Sequence, residues 1–209
     1  QKEIDAIANS TTPANFENTI VALDNSGELL SKVASVFYNL TSSNTNEELQ
    51  KLAQSLAPKM SEHSDNINLN EKLFSRIKKV YDDYSIDGTE KINLTPEQKM
   101  LLDNTYKKFV RSGANLSQEN KDKLRKLNSE LSLLSLKYGD NLLSETNSYE
   151  MVIDNKDDLA GLPQEIIDAA ANDAKAKNKE GKWVFTLSNS SVMPFLQYAN
   201  NRDLRQTIW

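Results

Sequence analysis

The stretch L-R-K-L-N-S-E-L-S-L-L-S-L-K-Y-G-D-N-L (124–142) decides the fold class. Leu124, Leu127, Leu131, Leu134, Tyr138 and Leu142 recur in steps of three and four, the period of one helical face. Ser117 is a fitting N-cap, so the spacing predicts one helix of roughly 30 residues, about 45 Å long at 1.5 Å rise per residue. Long helices joined by short loops bury their stripes by packing side by side. Leu127, Leu131 and Leu134 are therefore expected to face a core, with Lys126 outside it.

The same period extends upstream. Residues 1–12 read as a short polar lead. Phe16, Ile20, Leu23, Leu30, Val33, Phe37 and Leu40 predict one helix over 15–41, or two joined near Ser26 and Gly27, with Asn15 as N-cap. Leu49, Leu52, Leu56, Met60 and His63 share a face of the next helix, in which Pro58 should cause a kink. A third helix is predicted over 70–84 and a loop with Gly88 over 85–93. Thr95-Pro96-Glu97-Gln98 combines a Thr N-cap, Pro at N1 and Gln at N3, a capping box opening a helix to about Arg111.

Downstream the pattern changes. Residues 148–153 and 182–187 read as strands, and two strands alone are marginal. They should pair with each other or with a sheet outside the chain. An alanine-rich helix over 164–177 lies between them. Residues 192–209 read as helix, starting at Pro194 and bending near Asn200 and Asn201. Periodicity thus predicts a mainly α fold, an antiparallel bundle of long helices with a small two-stranded β element. The expected division is a helical bundle over 1–147, a strand-helix-strand element over 148–190 and a helical segment over 191–209. No stop signal precedes Trp209 and position 1 is Gln, so the chain is expected to be part of something longer.

The net charge is −5, with 25 basic and 30 acidic residues. No basic stripe stands ready for phosphates, which argues against nucleic acid and an anionic membrane surface as partners. No apolar run reaches the roughly 18–20 residues of a membrane span. The chain has no cysteine and a single histidine, His63. Catalytic zinc sites typically take three protein ligands, so a zinc site or a Ser-His-Asp arrangement built from this chain alone is not expected. His63 reads as a polar residue ending an apolar face near Glu62 and Asp65, the other reading being a ligand beside those carboxylates. Phosphate-cradling glycine motifs are absent. Asp82-Asp83 and Asp157-Asp158 read as solvated surface. Lys121, Lys123, Arg125 and Lys126, interleaved with Glu119, Asp122 and Glu130, read as a salt-bridge-laced face. Tyr198, Arg202 and Arg205 cluster near the chain end. They read either as a packing face or as the wall of a peptide channel, where Arg forks bind carboxylates.

Several runs resemble one family. These are P-A-N-F-E-N-T-I-V-A-L (13–23), S-K-V-A-S-V-F-Y-N-L-T (31–41), L-A-P-K-M-S-E-H-S-D-N-I (56–67) and N-E-K-L-F-S-R-I (70–77). A-G-L-P (160–163), G-K-W-V-F-T-L (181–187) and P-F-L-Q-Y-A-N-N-R-D-L-R (194–205) continue in the same order. The chain resembles the amino-terminal part of peptidyl-dipeptidases, or dipeptidyl carboxypeptidases, among the thimet-oligopeptidase-like zinc metallopeptidases.

The resemblance implies a helical ellipsoid split by a deep channel, with one zinc held by an H-E-x-x-H helix and a downstream Glu. It implies release of carboxy-terminal dipeptides from short peptides and a monomeric parent in the bacterial cytoplasm or cell envelope. This chain has no H-E-x-x-H. No catalytic or metal residue is assigned to it, and zinc is expected in the parent and not in this piece. Its expected role is to form the channel and gate substrate, without activity of its own. The alternatives are an oligopeptidase cutting internal bonds, and a stand-alone helical interaction module.

Overall fold

A computed structural model describes residues 1–85 and 93–209; most of the loop expected around Gly88 lies outside the described residues. The described residues are mainly helical, with one antiparallel two-stranded sheet. The chain divides into two compact units, Gln1–Leu136 and Lys137–Trp209, and the division falls within one helix.

The first unit opens with α1 (Lys2–Ala8), where a polar lead is expected. Ile4, Ile7 and Ala8 are its buried face, at the i, i+3, i+4 spacing of a short amphipathic helix. A π-helical turn, Phe16–Val21, then runs into α2 (Ala22–Asp24). Asn15 and Asn18 cap that turn reciprocally: each side-chain oxygen accepts the other's backbone N–H, at 2.8 and 2.9 Å. Gly27, at φ +76°, stands in the turn before the next helix, so of the two readings of 15–41 the one with two helical stretches joined near Ser26 and Gly27 is formed. Next come α3 (Glu28–Ser43) and α4 (Glu47–Asn68), whose interior holds Pro58.

α5 (Glu71–Ser85) and α6 (Pro96–Arg111) complete the core with α1 and the π turn. The predicted capping box at Thr95 and Gln98 is formed. Leu73, Phe74, Ile77 and Val80 of α5 meet Leu102 and Phe109 of α6, and Ile4, Phe16 and Ile20 close the cluster. Tyr81 and Tyr106 stack at 3.9 Å between ring centroids. Arg76 ties the chain start to α5. Its guanidinium donates to the carbonyls of Ser10 at 3.1 Å and Thr12 at 2.9 Å, to Asn18 Oδ1 at 3.0 Å and to Thr19 Oγ1 at 3.3 Å.

Two expected core faces are not core. On α3 no residue is buried, and Val33 is 60% exposed. On α7 (Gln118–Ser148), Leu127, Leu131 and Leu134 are 61%, 61% and 62% exposed. The one buried residue of α7 is Lys121, which pairs with Glu71 at 3.0 Å. The helix exists where the period places it, but among the described residues nothing covers the middle of its leucine stripe.

In the second unit β1 (Met151–Ile153) pairs with β2 (Trp183–Phe185), Val152 opposite Val184. The two strands thus find each other, and α8 (Gln164–Ala176) connects them. α9 (Asn189–Tyr198) and α10 (Arg202–Ile208) follow. α9 begins after Ser188, five residues before Pro194, because hydroxyl and amide groups of 186–191 bond one another around its first turn. Met151, Ile153, Phe185, Phe195 and Ile208 share one core, with Phe185 and Phe195 rings 4.6 Å apart. The closing segment thereby folds onto its own unit, although Trp209 is 92% exposed.

Candidate functional site

Tyr198, Arg202 and Arg205 all lie at the joint between α9 and α10. The joint is built on a close approach of two backbones. Gly161 sits at φ +92°, and a Cβ there would fall 2.3 Å from the Tyr198 carbonyl oxygen. Only glycine fits both the angle and the contact. The Asn200 N–H donates to the Ala160 carbonyl at 2.8 Å, and Asn201 Nδ2 donates to Asp158 at 2.9 Å. Asn201 Oδ1 also accepts the N–H groups of Asp203 and Leu204, capping α10.

The three candidates have separate fates at this joint. Arg205 turns inward and donates to the carbonyls of Ala199 and Asn200. Those carbonyls follow the end of α9, so Arg205 fastens the bend through one nitrogen of its guanidinium. Tyr198 is 45% exposed and Arg202 is exposed; neither makes a side-chain hydrogen bond or ion pair with the described residues. Tyr198 and Arg202 thus present exposed polar groups on either side of the joint.

The other sequence candidates also find places. His63 is half-buried and lines a cavity of about 440 Å³ with Leu29, Leu30, Val33 and Met60. Asp82 pairs with Lys78 at 2.6 Å and Asp83 with Lys79, each one turn apart on α5. Among the described residues no three His, Asp or Glu side chains gather as metal ligands would. Beside β1, Lys177 and Lys179 clamp Glu150 and hold its carboxyl below the ordinary value.

The basic run on α7 is only partly laced as expected. Lys123 pairs with Glu119 at 2.6 Å and Lys121 with Glu71. Arg125 instead donates to Asn66 Oδ1 at 2.9 Å, and Lys126 has no partner among the described residues. Both line a pocket of about 510 Å³ with Lys59, Glu62 and Asp65 of α4. Reading each helix alone misses this pocket. Its signal is the polar run from Glu62 to Asn66 on a helix whose other face is apolar.

No family model matches the chain. It is 35% identical to the dipeptidyl carboxypeptidase of Escherichia coli (strain K12), over 99% of this chain and 30% of that protein. The dipeptidyl carboxypeptidase of Salmonella typhimurium is 34% identical with the same coverage. Oligopeptidase A of Salmonella typhimurium is 28% identical over 99% of this chain and 29% of that protein. The chain thus spans about 30% of the length of the curated relatives it matches. Along nearly its whole length the chain is thus similar to one part of the dipeptidyl carboxypeptidases, with oligopeptidase A next, in line with the resemblance that its motifs carry.

Proposed function

We propose that this chain is part of a peptidase of the dipeptidyl carboxypeptidase type, and that it helps form the substrate channel and limits entry to short peptides. One observation carries the reading: 35% identity to a dipeptidyl carboxypeptidase against 28% to an oligopeptidase A, both over 99% of the chain. Zinc and the reacting groups belong, in this reading, to residues outside these 209, since His63 stands alone. The chain by itself neither cleaves peptides nor holds zinc tightly, and the parent acts as a monomer in the cytoplasm or cell envelope.

Tyr198 and Arg202 are the side chains offered to peptide. A guanidinium fork gives two parallel donors to a carboxylate, and a phenol ring gives apolar area with a polar tip. Arg205 acts one step back, by holding the bend that positions them.

A chimera tests this. In it the matching 30% of the Escherichia coli dipeptidyl carboxypeptidase is replaced by this chain. The expected result is release of carboxy-terminal dipeptides from amino-blocked peptides, seen by mass spectrometry. Arg202→Ala in the chimera should raise KM about three- to tenfold with little change in thermal midpoint, the loss of one charge-assisted contact. Cleavage at internal bonds alone would favour the oligopeptidase reading. A folded chimera without any cleavage would sink the peptidase assignment.

A further inference from the structure

The pocket between α4 and α7 in the first unit belongs to none of the machinery described above. Lys59, Glu62, Asp65 and Asn66 recur along one face of α4. Arg125 and Lys126 meet them from α7, which divides the lining into three cations and two carboxyls.

Its charges are not spent on one another. Lys59, Arg125 and Lys126 form no ion pair with the described residues. Asp65 is 6% exposed, and its side chain accepts one hydrogen bond, from Asn128 Nδ2 at 2.7 Å. A carboxyl this far from water ordinarily has a charged partner. Arg125 uses one N–H on Asn66 Oδ1, which fixes the guanidinium and leaves the rest of its donor fork open. The pocket of about 510 Å³ lies within the range of small-molecule sites, roughly 300–1,000 Å³.

We infer that this pocket binds a free dipeptide as a zwitterion. The carboxylate goes to Arg125, with Lys59 and Lys126 beside it. The ammonium goes to Asp65 and Glu62. A simple anion would leave Asp65 without a cation, and a simple cation would leave the Arg125 fork empty. A ligand with both ends a few bonds apart satisfies both. The choice of dipeptide rests on the function proposed above, whose product class it is, while the zwitterion chemistry rests on the pocket alone.

The test is a titration of the 209-residue chain with alanylalanine, followed by amide NMR shifts. The expected result is saturable shifts at residues 59–66 and 125–129. Acetylating the amino end or amidating the carboxyl end should each weaken binding about fivefold, as expected for one charge pair near a surface. Lys126→Gln, at an exposed position, should weaken it about threefold without moving the thermal midpoint. Glu62→Gln should do the same for alanylalanine and nothing for its acetylated form. Equal binding of free and blocked forms overturns the inference, as does tighter binding of inorganic phosphate than of dipeptide. So does the absence of saturable shifts at those amides. The chimera assay is independent of this titration, so either can fail while the other stands.

Discussion

α5 and the middle of α7 carry the same kind of stripe and meet opposite ends. On α5, Leu73, Ile77 and Val80 are each 0% exposed. On α7, Leu127, Leu131 and Leu134 are each more than 60% exposed. The period is equally clear in both. The difference lies in what stands opposite: α6, α1 and the π turn pack on α5, and among the described residues nothing covers that part of α7. An amphipathic period reports a helix and the direction of its apolar face. Burial is a property of two surfaces, and the second surface is not written in the first.

The sharpest way to break this comparison is a pair of truncations. Ile77→Ala removes packed methyl groups from a fully buried site and should cost roughly 2–5 kcal/mol, through lost transfer energy and a residual cavity. Leu131→Ala should change the stability of this chain by no more than about 0.5 kcal/mol, as at other exposed positions. Thermal and denaturant midpoints check both. Comparable losses at the two sites would mean that α7 is covered in solution.

A smaller effect sharpens the comparison in the second unit. There the contact that matters is backbone against backbone. Gly161→Ala places a methyl group against the Tyr198 carbonyl and keeps an unfavourable positive φ. The expected cost is about 1–3 kcal/mol. Amide exchange should show the loosening at residues 158–162 and 198–204. An unchanged midpoint would show that the two loops part without penalty.

The smallest expected effect lies on the surface. Lys177 and Lys179 hold Glu150 below its ordinary 4.5. A carboxyl lowered in the folded state adds stability above its ordinary value and loses it as pH falls through the lowered one. Glu150→Gln should therefore flatten the stability–pH curve on the acid side, below about pH 4.5, and leave its slope near neutrality alone. Parallel curves for the two proteins down to acid unfolding would show that the clamp is idle.

Most helices were legible because caps and periods agree. Thr95 to Gln98 is the clearest case: a local capping box needs no knowledge of the rest of the chain. α1 was hidden because Ile4 and Ile7 are too few to show a period among the polar residues of the 1–12 lead. Pro194 was misleading as a start, since a competing hydroxyl network around Ser188 opens α9 earlier. At the candidate site, Tyr198, Arg202 and Arg205 were grouped by helical spacing. Spacing cannot tell that Arg205 bends back to the carbonyls of 199 and 200, because that depends on the break between α9 and α10. The α4–α7 pocket was illegible for a related reason. Its two halves lie some 60 residues apart, as the contact between Asn66 and Arg125 illustrates.

The clasp made by Arg76 bears on the order in which the chain assembles. One guanidinium holds acceptors at positions 10, 12, 18 and 19, across separations of 57 to 66 residues. Closing loops of that length costs entropy before any contact repays it, so such pairings form late. Residues 10–19 leave the ribosome before Arg76 and are secured only after it has joined them. In pulse-labelled refolding, the amides of 73–80 on α5 should gain protection before those of 4–8 on α1. Simultaneous protection would mean that α1 and α5 condense as one nucleus.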